Sequence, residues 1–168
     1  DHESRDGAAY ATFRAHPLGF PGMVLMQGQL LSRIVGVLLG EDMDDEPPPY
    51  RVRAVTALEL RIARRVCSDV LSGLAGAWPG NGEVAFNISQ LGSSSRIVDG
   101  LALGMPVVSA SLDFGRPDDP FGLLVVSIPA QATSDLRTEP EQVVLRAPQT
   151  SRLDRVMPVT LDLSAELT

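Results

Sequence analysis

The sequence predicts an α/β fold: a mixed or largely antiparallel sheet with helices packed on its faces. Three observations carry that reading. Several short segments alternate apolar and polar residues, one long segment has a helical period with a chemically specified start, and the two kinds interleave along the chain. A period of two places alternate side chains on one face of a strand, whereas spacings of three and four gather them on one face of a helix. Elements with single apolar faces must bury them against one another, which produces layers around a shared core.

The first two strands are "YATFRAHPL" and "GMVLMQG", joined by a turn containing Gly19, Pro21 and Gly22. Residues 29–40 follow with apolar side chains at Leu30, Leu31, Ile34, Val35, Leu38 and Leu39. That helical stripe is wide, so burial on more than one side is expected. Gly40 is placed to cap it, because glycine accepts the left-handed conformation that ends helices.

Residues 38–50 then read "LLGEDMDDEPPPY", with acids at 41, 42, 44, 45 and 46 followed by prolines at 47, 48 and 49. Three readings of this stretch stand open: a metal loop, a linker or a contact surface. The calcium reading fails the EF-hand pattern. Counted from Asp42, the ligand positions are Asp42, Asp44 and Glu46, and the sixth position, where glycine is required, is Pro47.

"TALELRIARRVCSDVLSGLAGAW" is the most sharply defined helix. Thr56 and Glu59 make a T-x-x-E capping box, which specifies where it begins. Leu58, Ile62, Val66, Val70, Leu74 and Trp78 are expected to form its buried stripe, with Arg61, Arg64, Arg65 and Asp69 largely opposite. "PGNG" stops it, since Pro79 lacks an amide hydrogen and the glycines favour a turn.

After that stop the period returns to two. "GEVAFNIS" alternates Val84, Phe86 and Ile88, "GMPVVSASLDF" follows, and "FGLLVVSIP" is almost continuously apolar, hence central in the sheet. "GRPDDP" is a turn of hairpin length between the last two, and "PAQATSDL" is a short helical piece. Residues 138–155 read as a linker by composition. "RVMPVTLDLSAEL" alternates again; with no further strand after it to pair with, it is expected to open a second domain.

The totals narrow the function classes. The 168 residues suffice for one domain with a real core, burying roughly 70% of the unfolded surface. The net charge is −7, and all 14 basic residues are arginine. Nucleic-acid binding through counterion release needs a basic stripe, which is missing. No apolar run is long enough to insert into a bilayer. The single Cys67 cannot form an internal disulfide and suits a reducing compartment. The chain starts at Asp1 without an initiator Met, so a fragment of a longer protein is expected.

Catalytic signatures are sparse. The histidines are His2 and His16, no G-x-S-x-G or phosphate loop occurs, and Cys67 sits mid-helix beside the expected apolar stripe, where packing is its natural role. Two histidines and one cysteine make a poor zinc set. "LGSSSRIVDG" carries three serines and Arg96, a polar connection with the weaker alternative of an anion site. No cofactor, metal or catalytic residue is assigned, and a binding or assembly module is the reading that remains.

The order of these pieces resembles the middle domain of the flagellar motor switch protein family FliM. "TFRAHPLGFPGMVLMQGQLLSRIVGVLLGE" resembles the first half of that domain. The next helix is similar in its T-x-x-E start and Ala-Trp finish at Thr56, Glu59, Ala77 and Trp78. "SSSRIVDGLALGMPVVSASLDF" falls where the family has an irregular segment leading into a strand. "FGLLVVSIPAQATSDL" resembles the family's glycine, apolar strand, proline and helix, with Gly122 and Pro129 matching.

The resemblance implies a pseudo-two-fold α/β/α sandwich similar to the phosphatase CheC. It divides the chain into a middle domain at 1–137, a linker at 138–155 and the start of a FliN-like domain at 156–168. It also implies an assembly role in the cytoplasmic C-ring at the inner-membrane face of the flagellar basal body. The implied partners are FliG, neighbouring FliM subunits, FliN through the further C-terminal domain and phosphorylated CheY through an N-terminal segment. A ring component of a type III secretion sorting platform, or a CheC-like phosphatase of phosphorylated CheY, are the alternatives. The phosphatase needs an acid followed three residues later by asparagine, and Glu59 is followed by Ile62. In the family the loop after the first helix carries Gly-Gly-x-Gly against FliG. Here the matching residues are Gly40, Glu41, Asp42 and Met43, so charge stands where close backbone approach is usual.

Overall fold

The computed structural model describes residues 7–42, 50–79, 84–98, 106–116, 119–136 and 159–166. Six strands form one sheet: β1 (Ala9–His16), β2 (Pro21–Met26), β3 (Ala85–Gly92), β4 (Val107–Arg116), β5 (Asp119–Pro129) and β6 (Val159–Glu166). Their order is β3-β1-β2-β5-β4-β6, and every pairing is antiparallel. The expected α/β class is therefore what the chain adopts. Two hairpins, β1–β2 and β4–β5, meet at the β2–β5 pairing, and in each half the third strand joins the outer edge of the first. That arrangement is a pseudo-two-fold written in strand order.

Helices α1 (Gly28–Leu38) and α2 (Ala57–Ala77) are inserted between β2 and β3. Their inward residues, Leu30, Leu31 and Ile34 from α1 and Ala63, Val66, Cys67 and Leu71 from α2, share one core with Phe13, Val24, Met26, Leu124 and Val126. The register explains why these sheet residues point the same way: Phe13 lies opposite Gly22, Val24 opposite Val126 and Met26 opposite Leu124. Both helices thus cover the same face. Burying each large aliphatic side chain here contributes roughly 1.5–3 kcal/mol. On the other face a hydroxyl pair, Ser109 with Ser127 at 2.8 Å, links β4 to β5 and satisfies the buried Ser127.

Two expectations about helix faces need correction. In α1, Leu38 and Leu39 are 56% and 77% exposed, so burial ends after Ile34 and Gly36. In α2, the buried line is Glu59, Ala63, Val66, Cys67 and Leu71, and Leu58 is 54% exposed. A strict spacing of four drifts about 40° per step around a helix of 3.6 residues per turn, so the stripe chosen by that spacing slides off the contact. Ile62, Val70, Leu74 and Trp78 flank the core, half-buried. Cys67 lies in the core itself, and burial pushes its thiol up to about 12, which keeps it protonated and inert.

The strand "RVMPVTLDLSAEL" finds its partner within this chain: β6 pairs with β4 along Val107↔Glu166 to Phe114↔Val159. Its alternation by itself names no partner, because β4 precedes it by some fifty residues, beyond any local signal. The proposed linker at 138–155 lies outside the described residues. "PAQATSDL" is a 3-10 turn over Ala130–Leu136, and the Ser95–Ile97 turn occupies the "SSSRI" connection, with the Ser94 hydroxyl accepting from the Arg96 amide.

The joint between α1 and the sheet is tight. A Cβ placed on Gly122 would stand 2.5 Å from Leu30 Cβ, 2.8 Å from its Cα and 3.0 Å from its backbone nitrogen. Two of those atoms are helix backbone and the Cβ is fixed to it, so none can yield without moving α1. Gly122→Ala is therefore expected to destabilise the fold by about 1–3 kcal/mol, read as a lowered midpoint in thermal unfolding; an unchanged midpoint would show that α1 can ride outward freely.

Candidate partner-binding site

The turn after α1 is built by the helix end itself. Leu39 caps the helix, and Gly40 takes φ +104°, a conformation that a side chain would strain. The Gly40 amide donates to the Val37 carbonyl at 3.1 Å and the Glu41 amide to the Gly36 carbonyl at 2.9 Å. Together these are the paired bonds of a Schellman motif, which satisfies carbonyls that the helix leaves open. Gly40 thus does what its position in the sequence suggested.

Glu41 and Asp42 are exposed, as is the preceding Leu38–Leu39 step. Met43 and the acids after it lie outside the described residues. Arg33 also belongs to this site and was not picked out from the sequence. It rises from α1 with its side chain only 5% exposed. Its Nη2 donates to the Asp42 carbonyl at 2.9 Å, and its Nη1 stands 3.7 Å from Glu41 Oε2. The Glu41 carboxylate lies over Gly36, in the space a side chain there would occupy. Glu41 is therefore half exposed while its carboxylate turns back toward a buried cation. The missed signal was an arginine at an otherwise apolar i, i+1, i−3 position of α1, seven residues before the glycine.

Thr56 and Glu59 form the capping box that their spacing implies. The Glu59 amide donates to Thr56 Oγ1 at 3.3 Å, and the Thr56 amide and hydroxyl donate to Glu59 Oε2, each at 2.8 Å. Arg53 adds a two-pronged contact, Nη1 to Oε2 at 2.9 Å and Nη2 to Oε1 at 2.6 Å. Burial pushes the Glu59 carboxyl up, but the Arg53 and Thr56 hydrogen bonds and the nearby guanidinium charge outweigh it, so the acid ends below its ordinary value. Both oxygens of this carboxylate are engaged: Oε2 accepts from the Thr56 amide, the Thr56 hydroxyl and Arg53 Nη1, and Oε1 accepts from Arg53 Nη2. Ile62, three residues on, packs beside the core.

The remaining family-matching residues are structural and do not converge on the turn. Trp78 ends α2 and stacks within an aromatic corner, 5.4 Å from Phe86 and 5.6 Å from Phe20. Gly122 admits α1, and Pro129 closes β5 opposite Val107. Among the described residues no group of three or more His, Cys, Asp or Glu is placed to hold a metal ion, and no helix is long and apolar enough to cross a membrane.

The capping network sets a pH dependence. Because the folded Glu59 value is lowered, its contribution is complete above the ordinary glutamate value of 4.5 and is lost as pH falls below that, through the folded value. Thr56→Ala is expected to cost about 1 kcal/mol. Glu59→Gln is expected to cost about 1–3 kcal/mol at neutral pH and to match wild type once the acid is protonated. Denaturant titrations of both variants across that range check this; a Glu59→Gln penalty independent of pH would refute it.

No family model and no curated protein matches the chain. Solved structures do. A chain of the FliG–FliM complex from H. pylori superposes at TM-score 0.62 and 18% identity, covering 74% of this chain and 66% of that one. The FliM middle domain from Vibrio alginolyticus gives 0.57 and 18%, covering 77% and 70%. The FliM middle domain from H. pylori gives 0.61 and 16%, covering 78% and 68%. The chain spans about two thirds of the length of those structures. It has the fold of the FliM middle domain.

Proposed function

We propose that this chain is the middle domain of a FliM-type flagellar motor switch protein, a structural and interaction module and not an enzyme. The observation that carries the reading is the shared fold: a pseudo-two-fold antiparallel sheet, with a capped long helix, that matches FliM middle domains over about three quarters of the chain. Its partner in this reading is FliG, reached through the Gly40–Asp42 turn and the exposed Leu38 and Leu39. Neighbouring copies pack alongside in the C-ring at the cytoplasmic face of the inner membrane. FliN and phosphorylated CheY engage it through further domains and segments of a longer protein. Transmission of rotation sense is then a matter of subunit interfaces with two arrangements, which needs packed surfaces and no bond chemistry.

The site supports this division of labour. An exposed apolar step beside two acids can meet an apolar socket bordered by basic residues, where charge adds encounter rate and orientation. A CheC-like phosphatase would need Glu59 free for a water, and the capping box and Arg53 occupy it.

Titration with the cognate FliG tests the reading. Wild type is expected to bind, and reversing both charges, Glu41→Lys with Asp42→Lys, to weaken binding about tenfold, an effect that shrinks as salt is raised. Equal binding by both proteins would reduce the turn to a connector. Phosphate release from phosphorylated CheY, followed in the same preparations, is expected to stay at the spontaneous rate; clear turnover would overturn the non-enzymatic assignment.

A further inference from the structure

The turn expected to meet the partner is held from inside by a charge. Among the described residues Arg33 is one of the few buried polar side chains, and the one cation among them. Burying a guanidinium is costly unless it is paired and hydrogen-bonded, so its position has to be explained by what it grips. It grips the turn twice: the Asp42 main-chain carbonyl at 2.9 Å and the Glu41 carboxylate at 3.7 Å. Two backbone bonds from Gly40 and Glu41 to α1 close the turn from the other side.

We propose that Arg33 is the positioning residue of the Gly40–Asp42 turn, a buried latch that pre-orders an acidic, exposed contact point for a partner surface bearing basic residues. The inference rests on the proposed partner-binding role and adds how this chain keeps that surface in shape. A glycine-rich turn can approach a partner closely by backbone alone. This turn carries side chains, and its two neighbouring acids repel one another. Turning the Glu41 carboxylate back toward Arg33 offsets part of that repulsion and anchors the turn, while both acids stay exposed. Pre-ordering lowers the entropy lost on binding, so the latch acts on affinity without touching the partner.

Gly36 makes the idea separable from a merely structural role. The Glu41 carboxylate occupies the place of a Gly36 side chain, and its flexible end can be displaced. Gly36→Ala should favour the helix, since alanine is the better helix former, yet expel Glu41 from the latch.

The test uses the whole chain and purified cognate FliG, with amide hydrogen exchange at Glu41 and Asp42 as a second readout. Arg33→Met and Glu41→Gln are each expected to raise exchange in the turn and to weaken FliG binding on the order of tenfold, with the double variant no worse than the more affected single. Arg33→Lys, which keeps the charge and loses the fork, should fall between wild type and Arg33→Met. Gly36→Ala should raise the unfolding midpoint and still loosen the turn. The latch is overturned if Gly36→Ala and Glu41→Gln leave turn exchange and affinity unchanged, or if the Arg33 and Glu41 effects simply add. Failure of wild type to bind FliG would overturn the partner assignment, while the exchange data would still decide the latch.

Discussion

The β2–β5 pairing is the constraint on which the rest of the molecule depends. It is the one seam between two three-strand halves, running from Met23↔Ser127 to Met26↔Leu124. Strand pairs distant in sequence are expensive to bring together, because the loop between them must be closed before any contact repays it. Here about a hundred residues intervene. The seam is held by burial on the helical face, where Val24, Met26 and Leu124 are sealed from water. Helix α1 lies directly over it, with Leu30 seated on Gly122 of β5, while its own connection runs from β2. One helix therefore clamps both halves.

That clamp also aims the candidate site. Because α1 is fixed at Gly122, its C-terminal end, the exposed leucines and the Schellman turn are presented at a set place relative to the sheet. Arg33 extends the same rigidity one layer outward by tying Glu41 and Asp42 to the helix. A second, independent anchor sits at the entry to α2, where the Thr56–Glu59 capping box is gripped by Arg53. Tyr50 donates to the Gly7 carbonyl at 3.3 Å and so pins the incoming chain to the start of β1. Both ends of the acidic, proline-rich connection are consequently fastened.

Legibility followed the range of the interaction. The capping box, the glycine stop at Gly40, the two hairpins and the central place of "FGLLVVSIP" are local patterns, and each was readable. The faces of α1 and α2 were misplaced by a fraction of a turn, since helical periodicity gives the stripe but only the neighbouring strands decide where contact ends. Leu38 and Leu39 extend the α1 stripe in sequence and project beyond the sheet in space. Arg33 stands among the apolar positions of α1, beside Leu30 and Ile34, and only the folded turn shows what its charge meets.

By itself, then, the sequence determined the element types, their order, the two helix boundaries that are chemically specified, and the absence of a recognisable catalytic set. These depend on backbone preferences and side-chain reach over a few residues. The tertiary structure alone decided that β6 joins the β4 edge, that both helices share one face and that Glu41 turns back toward Arg33. Each of those requires groups far apart in the chain, or on different faces, to compete for the same space and charge. Such competition is settled by packing, and no local pattern records its outcome.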